Sequence, residues 1–355
     1  MALNCGIVGL PNVGKSTLFN ALTKNDIPAE NYPFCTIDPN EGMVAVPDDR
    51  LTAIHRLVET QKVIPTVMRF MDIAGLVKGA SEGEGLGNQF LGHIRQVNAI
   101  IHVVRCFENE DVIHVDNKVD PISDIATIET ELCLSDMEIA EKAKLKAKKT
   151  NQKEEMALWD AILEQLSLQA HLTEGNLSEA ALTLCQKYQL LMAKPMFYLA
   201  NCDESMQGEH VDALQSYAQK RGCDVLSICS KLEAEISQLD SEDQAMFLEE
   251  VGLKEPGLNR VIRESYHLLN LKTFFTAGEK EIRAWTYPEG STAQEAAGVI
   301  HTDFIKGFIR AEVVSYTNFI DCGGEAGAKE KGLWCLEGKA YLVQDGDIIY
   351  FRVNA

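Results

Sequence analysis

The stretch Gly9-Leu10-Pro11-Asn12-Val13-Gly14-Lys15-Ser16-Thr17 lies between an apolar run, Leu3 to Val8, and a helical pattern, Ser16 to Leu22. It meets the spacing G-x-x-x-x-G-K-[ST] at a strand-to-helix junction, which is the context a phosphate loop needs. Glycines there let the backbone close around an anion, the loop N–H groups and the helix N-terminus face it, and Lys15 directs a charge toward the β and γ phosphates. Ser16 is placed to put its hydroxyl on Mg²⁺, and Asn12, Val13, Gly14 and Thr17 complete the nucleotide contacts. With glycine near 7% of residues, a chance match in a chain of this length arises on the order of once in a hundred. The stretch therefore predicts an α/β P-loop domain with a catalytic Lys15.

Further short apolar runs follow at Val67 to Ile73, Ala99 to Val104, Met196 to Ala200 and Asp224 to Ile228. Runs separated in this way by helical stretches predict a buried, mostly parallel sheet. The regularity breaks from about Pro121 to Lys194, where the chain reads as long charged helices divided around Thr150 to Gln152 and Glu174 to Asn176. Sheet-like segments resume afterwards, so this part reads as an inserted α-helical hairpin; an independent coiled coil is the alternative. After Gly257 a helix to about Leu269 leads into strand-like stretches from Phe274, Ile282, Ala284 and Trp285, a helix at Ala293 to Ile300, and strands at Ala311 to Tyr316 and Ile348 to Val353. Hairpins packed on one helix predict a small α+β interaction module. The expected limits are 1–120 with 195–271 for the nucleotide domain, 121–194 for the hairpin and 272–355 for the last module.

Switch elements follow in the order a nucleotide-controlled protein requires. Asn31-Tyr32-Pro33-Phe34-Cys35-Thr36 is a polar loop in which Thr36 can close over the γ-phosphate and coordinate magnesium. Asp72-Ile73-Ala74-Gly75 ends a strand, so Asp72 can hold Mg²⁺ through water while the Gly75 N–H senses the γ-phosphate. Gly79 to Gly87 is too glycine-rich to be rigid and reads as a second switch. Leu76 occupies the place where a water-positioning glutamine would stand, so another group must serve or hydrolysis is slow. Of the eight histidines, His114 beyond the run Ala99 to Val104 is the chosen substitute and His93 the runner-up; a structural hydrogen bond is the competing reading of His114. Asn12 is a candidate ligand for K⁺ as a monovalent activator.

The base is read after Met196 to Ala200 by Asn201-Cys202-Asp203-Glu204, with Ser230-Lys231 closing the pocket through backbone groups. A guanine site has Asn-Lys-x-Asp, whose aspartate accepts from N1–H and N2–H₂; here Cys202 replaces the lysine and the longer Glu204 replaces the aspartate. Without a well-placed carboxylate such a pocket stops selecting guanine, which favours ATP. Asp203, one place early, would restore guanine binding if the loop shifted by a residue.

Composition narrows the setting. The 355 residues are 46% hydrophobic and carry a net charge of −20, so the averaged field repels nucleic acid and only a local patch can bind it. The lysines 142, 144, 146, 148, 149 and 153 form such a patch, read either as an RNA contact or as a solvated helix face. Ten cysteines are scattered without CxxC pairs, as in a reduced compartment. No run reaches the roughly 18 apolar residues of a membrane helix, and no leader is recognisable, so a cytoplasmic location is expected.

These motifs together resemble the YchF family, the bacterial branch of the Obg-like ATPases. The likeness spans the whole chain and rests on Gly9 to Thr17, Asn31 to Thr36, Asp72 to Gly87, Asn201 to Glu204, Arg283-Ala284-Trp285 and His301-Thr302-Asp303-Phe304. It implies an Obg-type G domain, an inserted helical hairpin and a C-terminal β-grasp module called TGS. It also implies ATP over GTP and association with ribosomes. A GTPase of the Obg type and a nucleotide-gated ribosome-binding module with incidental hydrolysis are the alternatives.

Overall fold

The computed structural model describes residues 3–24, 40–73, 86–109, 112 and 118–354. They fall into two compact units, Met1–Val44 with Arg69–Val261, and Ala45–Met68 with Ile262–Ala355. The strands up to residue 228 are β1 Asn4–Val8, β2 Glu41–Ala45, β3 Val63–Ile64, β4 Val67–Asp72, β5 Ala99–Arg105, β6 Met196–Asn201 and β7 Val225–Ile228. Six of them form one sheet in the order β2-β4-β1-β5-β6-β7. β1 pairs in parallel with β4 and β5, β5 with β6, and β6 with β7. Every residue of β5 and β6 is buried, as the unbroken apolar runs predict for parallel strands covered on both faces. The parallel order brings the C-terminal ends of β1, β4, β5 and β6 to one edge, where binding residues of such sheets gather.

The 29-residue helix Pro121–Lys149 opens with Asp120 capping the Ser123 N–H at 3.2 Å and Pro121 in the first turn. Its first half lies on the sheet domain: Ile125, Ile128 and Leu132 are fully buried, and Glu129 bonds Tyr198 of β6. Beyond Asp136 it buries only Ala140, Ala143 and Ala147, and these small residues admit Trp159, Ile162 and Leu166 of the returning helix Lys153–Ser167. Lys144 pairs with Asp160 across the two helices. The hairpin's first helix begins at Pro121, the limit expected for it, and its first half packs on the sheet domain before the two helices pair with each other.

The second unit continues with β8 Leu271–Ala277, β9 Ile282–Pro288, β10 Phe308–Val314, β11 Cys335–Glu337 and β12 Ile348–Val353, in the order β11-β10-β12-β8-β9-β3. The hairpin β8–β9 is antiparallel, β12 runs parallel to β8 at its centre, and helix Ala293–Ile300 carries a capping box between Thr292 and Glu295, giving the β-grasp arrangement expected. Alternation along the strands sends Phe274 to one face, with Tyr287, Ala293 and Ile349, and Phe275 to the other, with Leu51, Ile282 and Phe319. Two departures from expectation follow from that second face. Helices Asp49–His55, Tyr316–Asp321 and Glu325–Glu330 cover it, so the sheet is packed on both sides rather than on one helix. Residues 45–68, assigned in sequence to the nucleotide domain, belong here because Val63–Ile64 add a parallel strand to β9 and Leu51 and Ile54 have their core partners in this unit. A two-residue strand leaves no periodicity to read.

Among the described residues no helix is long and apolar enough to cross a membrane, and the described cysteines are free thiols, most of them buried.

Candidate active site

Between β1 and helix Lys15–Thr23 the loop adopts a conformation that only its sequence allows. Gly14 sits at φ 97°, and a Cβ there would stand 2.2 Å from the Asn201 Nδ2; one at Gly9 would stand 2.5 Å from the Val103 carbonyl oxygen. Asn12 takes the left-handed region at φ 61°, which asparagine tolerates better than most residues. The Lys15 side chain folds over the loop, and its Nζ donates to the carbonyls of Gly9 at 2.8 Å and Leu10 at 2.7 Å. An ammonium has three donors, so one remains for an anion in the loop. Burial pulls the Lys15 pKa down to about 8, against the opposing pull of Asp72.

Ser16 and Asp72, 56 residues apart in sequence, meet here: the Ser16 hydroxyl donates to Asp72 Oδ2 at 3.2 Å. Asp72 Oδ1 is buried and has no hydrogen-bond partner among the described residues. Two hard oxygen ligands side by side, one with a free buried acceptor, suit Mg²⁺, which binds through few protein oxygens and shares the phosphates.

A cavity of about 590 Å³ opens beside the loop, a volume suited to a nucleoside. Asn12, Gly14 and Thr17 line its phosphate end, Asn201 to Ser205 one wall, and Phe107, Glu108, Asn109 and Val112 the other. Asn201 is buried and spends its amide on the scaffold, donating to the Val13 carbonyl at 2.8 Å and accepting from the Ser230 N–H at 2.9 Å. It braces the phosphate loop against the Ser230 turn. That bond also occupies the Ser230 amide expected to close the base pocket, while the buried Ser230 Oγ has no hydrogen-bond partner among the described residues. Cys202 is buried, its thiol toward the Ala200 carbonyl at 3.3 Å. Asp203 Oδ1 accepts from both the N–H and the hydroxyl of Ser205, an Asx turn that commits this oxygen to its own loop. Glu204 reaches outward to Lys231 at 3.7 Å, both side chains more than 70% exposed.

Other expected site residues lie elsewhere. Thr36, Gly75, Leu76 and His114 fall outside the described residues, as does most of the second switch; its end, Leu86-Gly87, opens helix Leu86–Gln96. His93 lies exposed in that helix. In His301-Thr302-Asp303-Phe304 the His301 ring accepts from the Asp303 N–H at 3.2 Å, a local turn beside an open hollow of about 950 Å³.

Comparison with known proteins places this geometry. The sequence family described as "50S ribosome-binding GTPase" matches residues 4–163, and the C-terminal family of YchF GTPases, described as "Protein of unknown function (DUF933)", matches residues 271–354. The chain is 52% identical to the ribosome-binding ATPase YchF of Haemophilus influenzae and to that of Escherichia coli O157:H7, and 50% identical to that of Bacillus subtilis, each over 100% of both chains. The chain belongs to the YchF family. Among solved structures, the YchF GTPase of Schizosaccharomyces pombe superposes with a TM-score of 0.89 at 35% identity, covering 99% of this chain and 97% of that one. A GTP-binding protein from Pyrococcus horikoshii shares the fold, with a TM-score of 0.60 at 20% identity over 99% and 100% of the two chains.

Within this YchF chain, sequence reasoning missed one wall of the cavity. Phe107, Glu108, Asn109 and Val112 lie in no helix or strand and match no motif, and Arg105, which holds three of them, reads as the last residue of a strand. The signal was a single arginine ending an otherwise apolar run.

Proposed function

We propose that this chain is a ribosome-binding ATPase, a nucleotide-controlled switch of the cytoplasm in which water attacks the γ-phosphoryl group of ATP to release ADP and phosphate. The observation that carries the base preference is Asp203. Its Oδ1 is held by Ser205 and Glu204 is paired with Lys231, so the two donors of guanine would have to compete with an existing partner at each carboxylate of the 201–204 segment. Lys15 and the loop amides cradle the phosphate chain and stabilise charge on the γ-phosphoryl oxygens. Asn201 keeps the loop in register with the nucleoside wall. Ser16 and Asp72 hold Mg²⁺, which when bound neutralises phosphate charge. Direct competition of ATP against GTP in equilibrium binding tests the reading: ATP is expected to win clearly, and equal or better binding of GTP turns it to the Obg-type GTPase. Run in potassium and again in sodium buffer, the same preparation tests Asn12 as a K⁺ ligand, since turnover that ignores the exchange removes that role.

The hairpin tip supplies the ribosome contact in this proposal. Lys142 and Lys144 are paired to Glu138 and Asp160, whereas Lys146, Lys148, Lys149 and Lys153 are exposed with no ion pair among the described residues; the first three lie in the last turn of a 29-residue helix about 43 Å long at 1.5 Å per residue, and Lys153 opens the next helix. In a chain of net charge −20 this is a local basic end suited to an RNA phosphate backbone. Lys146→Glu with Lys148→Glu and Lys149→Glu is expected to weaken ribosome co-sedimentation by about tenfold or more at low salt and to flatten its salt dependence. Unchanged sedimentation removes the tip from the contact.

A further inference from the structure

The wall missed in the sequence has one organiser. β5 ends at Arg105, which sits in register with Asn201 at the end of β6, and the Cys106 N–H donates to the Asn201 carbonyl at 2.8 Å. Two neighbouring strands therefore each end in a buried polar side chain. Asn201 faces the phosphate loop; Arg105 serves the other side. Only 2% exposed, the Arg105 guanidinium donates to the carbonyls of Phe107 at 3.1 Å, Asn109 at 3.1 Å and Val112 at 3.0 Å, and lies 4.5 Å over the Phe107 ring. The Asn109 carbonyl also accepts from the Val112 N–H at 3.3 Å, and the arginine brings a side-chain donor to all three carbonyls. A planar fork of five N–H groups can reach three diverging carbonyls at once; a lysine ammonium is a single point. The three residues held, Phe107, Asn109 and Val112, all line the nucleotide cavity. Glu108, in the same segment, pairs with His210 at 3.0 Å and ties it to helix Glu209–Arg221.

We propose that Arg105 is the positioning residue for the nucleoside: it holds Phe107, Asn109 and Val112 as a preformed wall opposite Asn201 to Ser205, and so sets affinity for base and sugar while leaving the phosphate chain to Gly9–Thr17. The proposal rests on the nucleotide-binding reading given above. A wall that must be ordered at each binding event costs affinity for whatever touches it, and nothing for a ligand that does not.

The test compares Mg²⁺-ATP with Mg²⁺-tripolyphosphate, which has the phosphate chain without the nucleoside, on the full chain. Arg105→Lys and Arg105→Met are each expected to lose on the order of tenfold in ATP affinity while tripolyphosphate affinity moves by less than about twofold, the signature of a wall left to be ordered by the ligand. In turnover the same variants raise KM with kcat held within about twofold, as for lost uniform binding. Should Arg105→Met not fold, Arg105→Lys and Phe107→Ala remove the fork and the ring beneath it separately and are expected to show the same split. Equal losses for both ligands overturn the assignment, because they mean general disruption. A native preference for ATP over tripolyphosphate that survives Arg105→Lys overturns the role of Arg105 alone; a native chain that binds the two equally overturns the nucleoside site with it.

Discussion

The Lys15→Ala variant is expected to turn over ATP about 10²- to 10³-fold more slowly than the native chain, the range for losing one preorganised donor to a developing oxyanion. The loss has two sources. The Lys15 Nζ places its remaining proton where phosphate charge lies, and its other two hold the Gly9 and Leu10 carbonyls, which fix the curvature of the loop. Single-turnover hydrolysis measures the first, and triphosphate affinity the second; a variant within tenfold of native in both removes Lys15 from the machinery. The pH dependence has a definite sign. Because burial brings the Lys15 pKa down to about 8 in the free chain, phosphate must bind the charged form and take up a proton at higher pH. Triphosphate affinity should fall above about pH 8, approaching tenfold per pH unit. An affinity flat to pH 9.5 contradicts the buried amine.

Away from the nucleotide, the Glu129→Ala variant is expected to lose about 3–5 kcal/mol of stability, the cost of removing one member of a buried charged network. Glu129 is 1% exposed; its Oε1 accepts from Tyr198 at 2.6 Å and meets His171 at 3.2 Å, and its Oε2 accepts from Tyr217 at 3.1 Å and forms an ion pair with Arg221 at 2.7 Å. It joins the first half of helix Pro121–Lys149 to β6 and to helix Glu209–Arg221, so its loss leaves an arginine and two phenols facing a void. Glu129→Gln, which keeps the shape, should cost less. Burial by itself would raise the Glu129 pKa, but His171, Tyr198 and Arg221 outweigh it and hold the carboxyl below its ordinary value. A depressed carboxyl stabilises the fold above its unfolded pKa, and that contribution is lost as pH falls through the folded one. The difference between native and Glu129→Gln in urea unfolding should therefore be full at neutral pH and close below about pH 4. A Glu129→Ala chain within 1 kcal/mol of native leaves the network without weight.

Legibility divided along the range of the interactions involved. Gly9 to Thr17 could be read because every constraint on a phosphate loop is local: a positive φ at Gly14, a close backbone approach at Gly9, a lysine one residue into a helix. The strands and helix Ala293–Ile300 were equally legible, since burial on two faces or one imposes its own period on the chain. The roles of Asn201 and Asp203 were not. Their types and spacing suggested base recognition, but whether an amide or a carboxylate faces a ligand depends on which neighbours claim it first, and Val13, Ser230 and Ser205 claim these.

What the chain alone determined about this YchF family member is therefore the phosphate site, the parallel sheet that presents it, and the presence of the helical and β-grasp parts. Each follows from a contiguous motif or from the period of apolar residues. Only the tertiary structure decided that residues 45–68 complete the second sheet, that Asn201 braces the phosphate loop, and that Arg105 builds the wall across from it. Those three depend on a β-strand edge, a carbonyl and a loop that come within hydrogen-bond reach only once the strands are side by side, and no spacing along the chain encodes that distance.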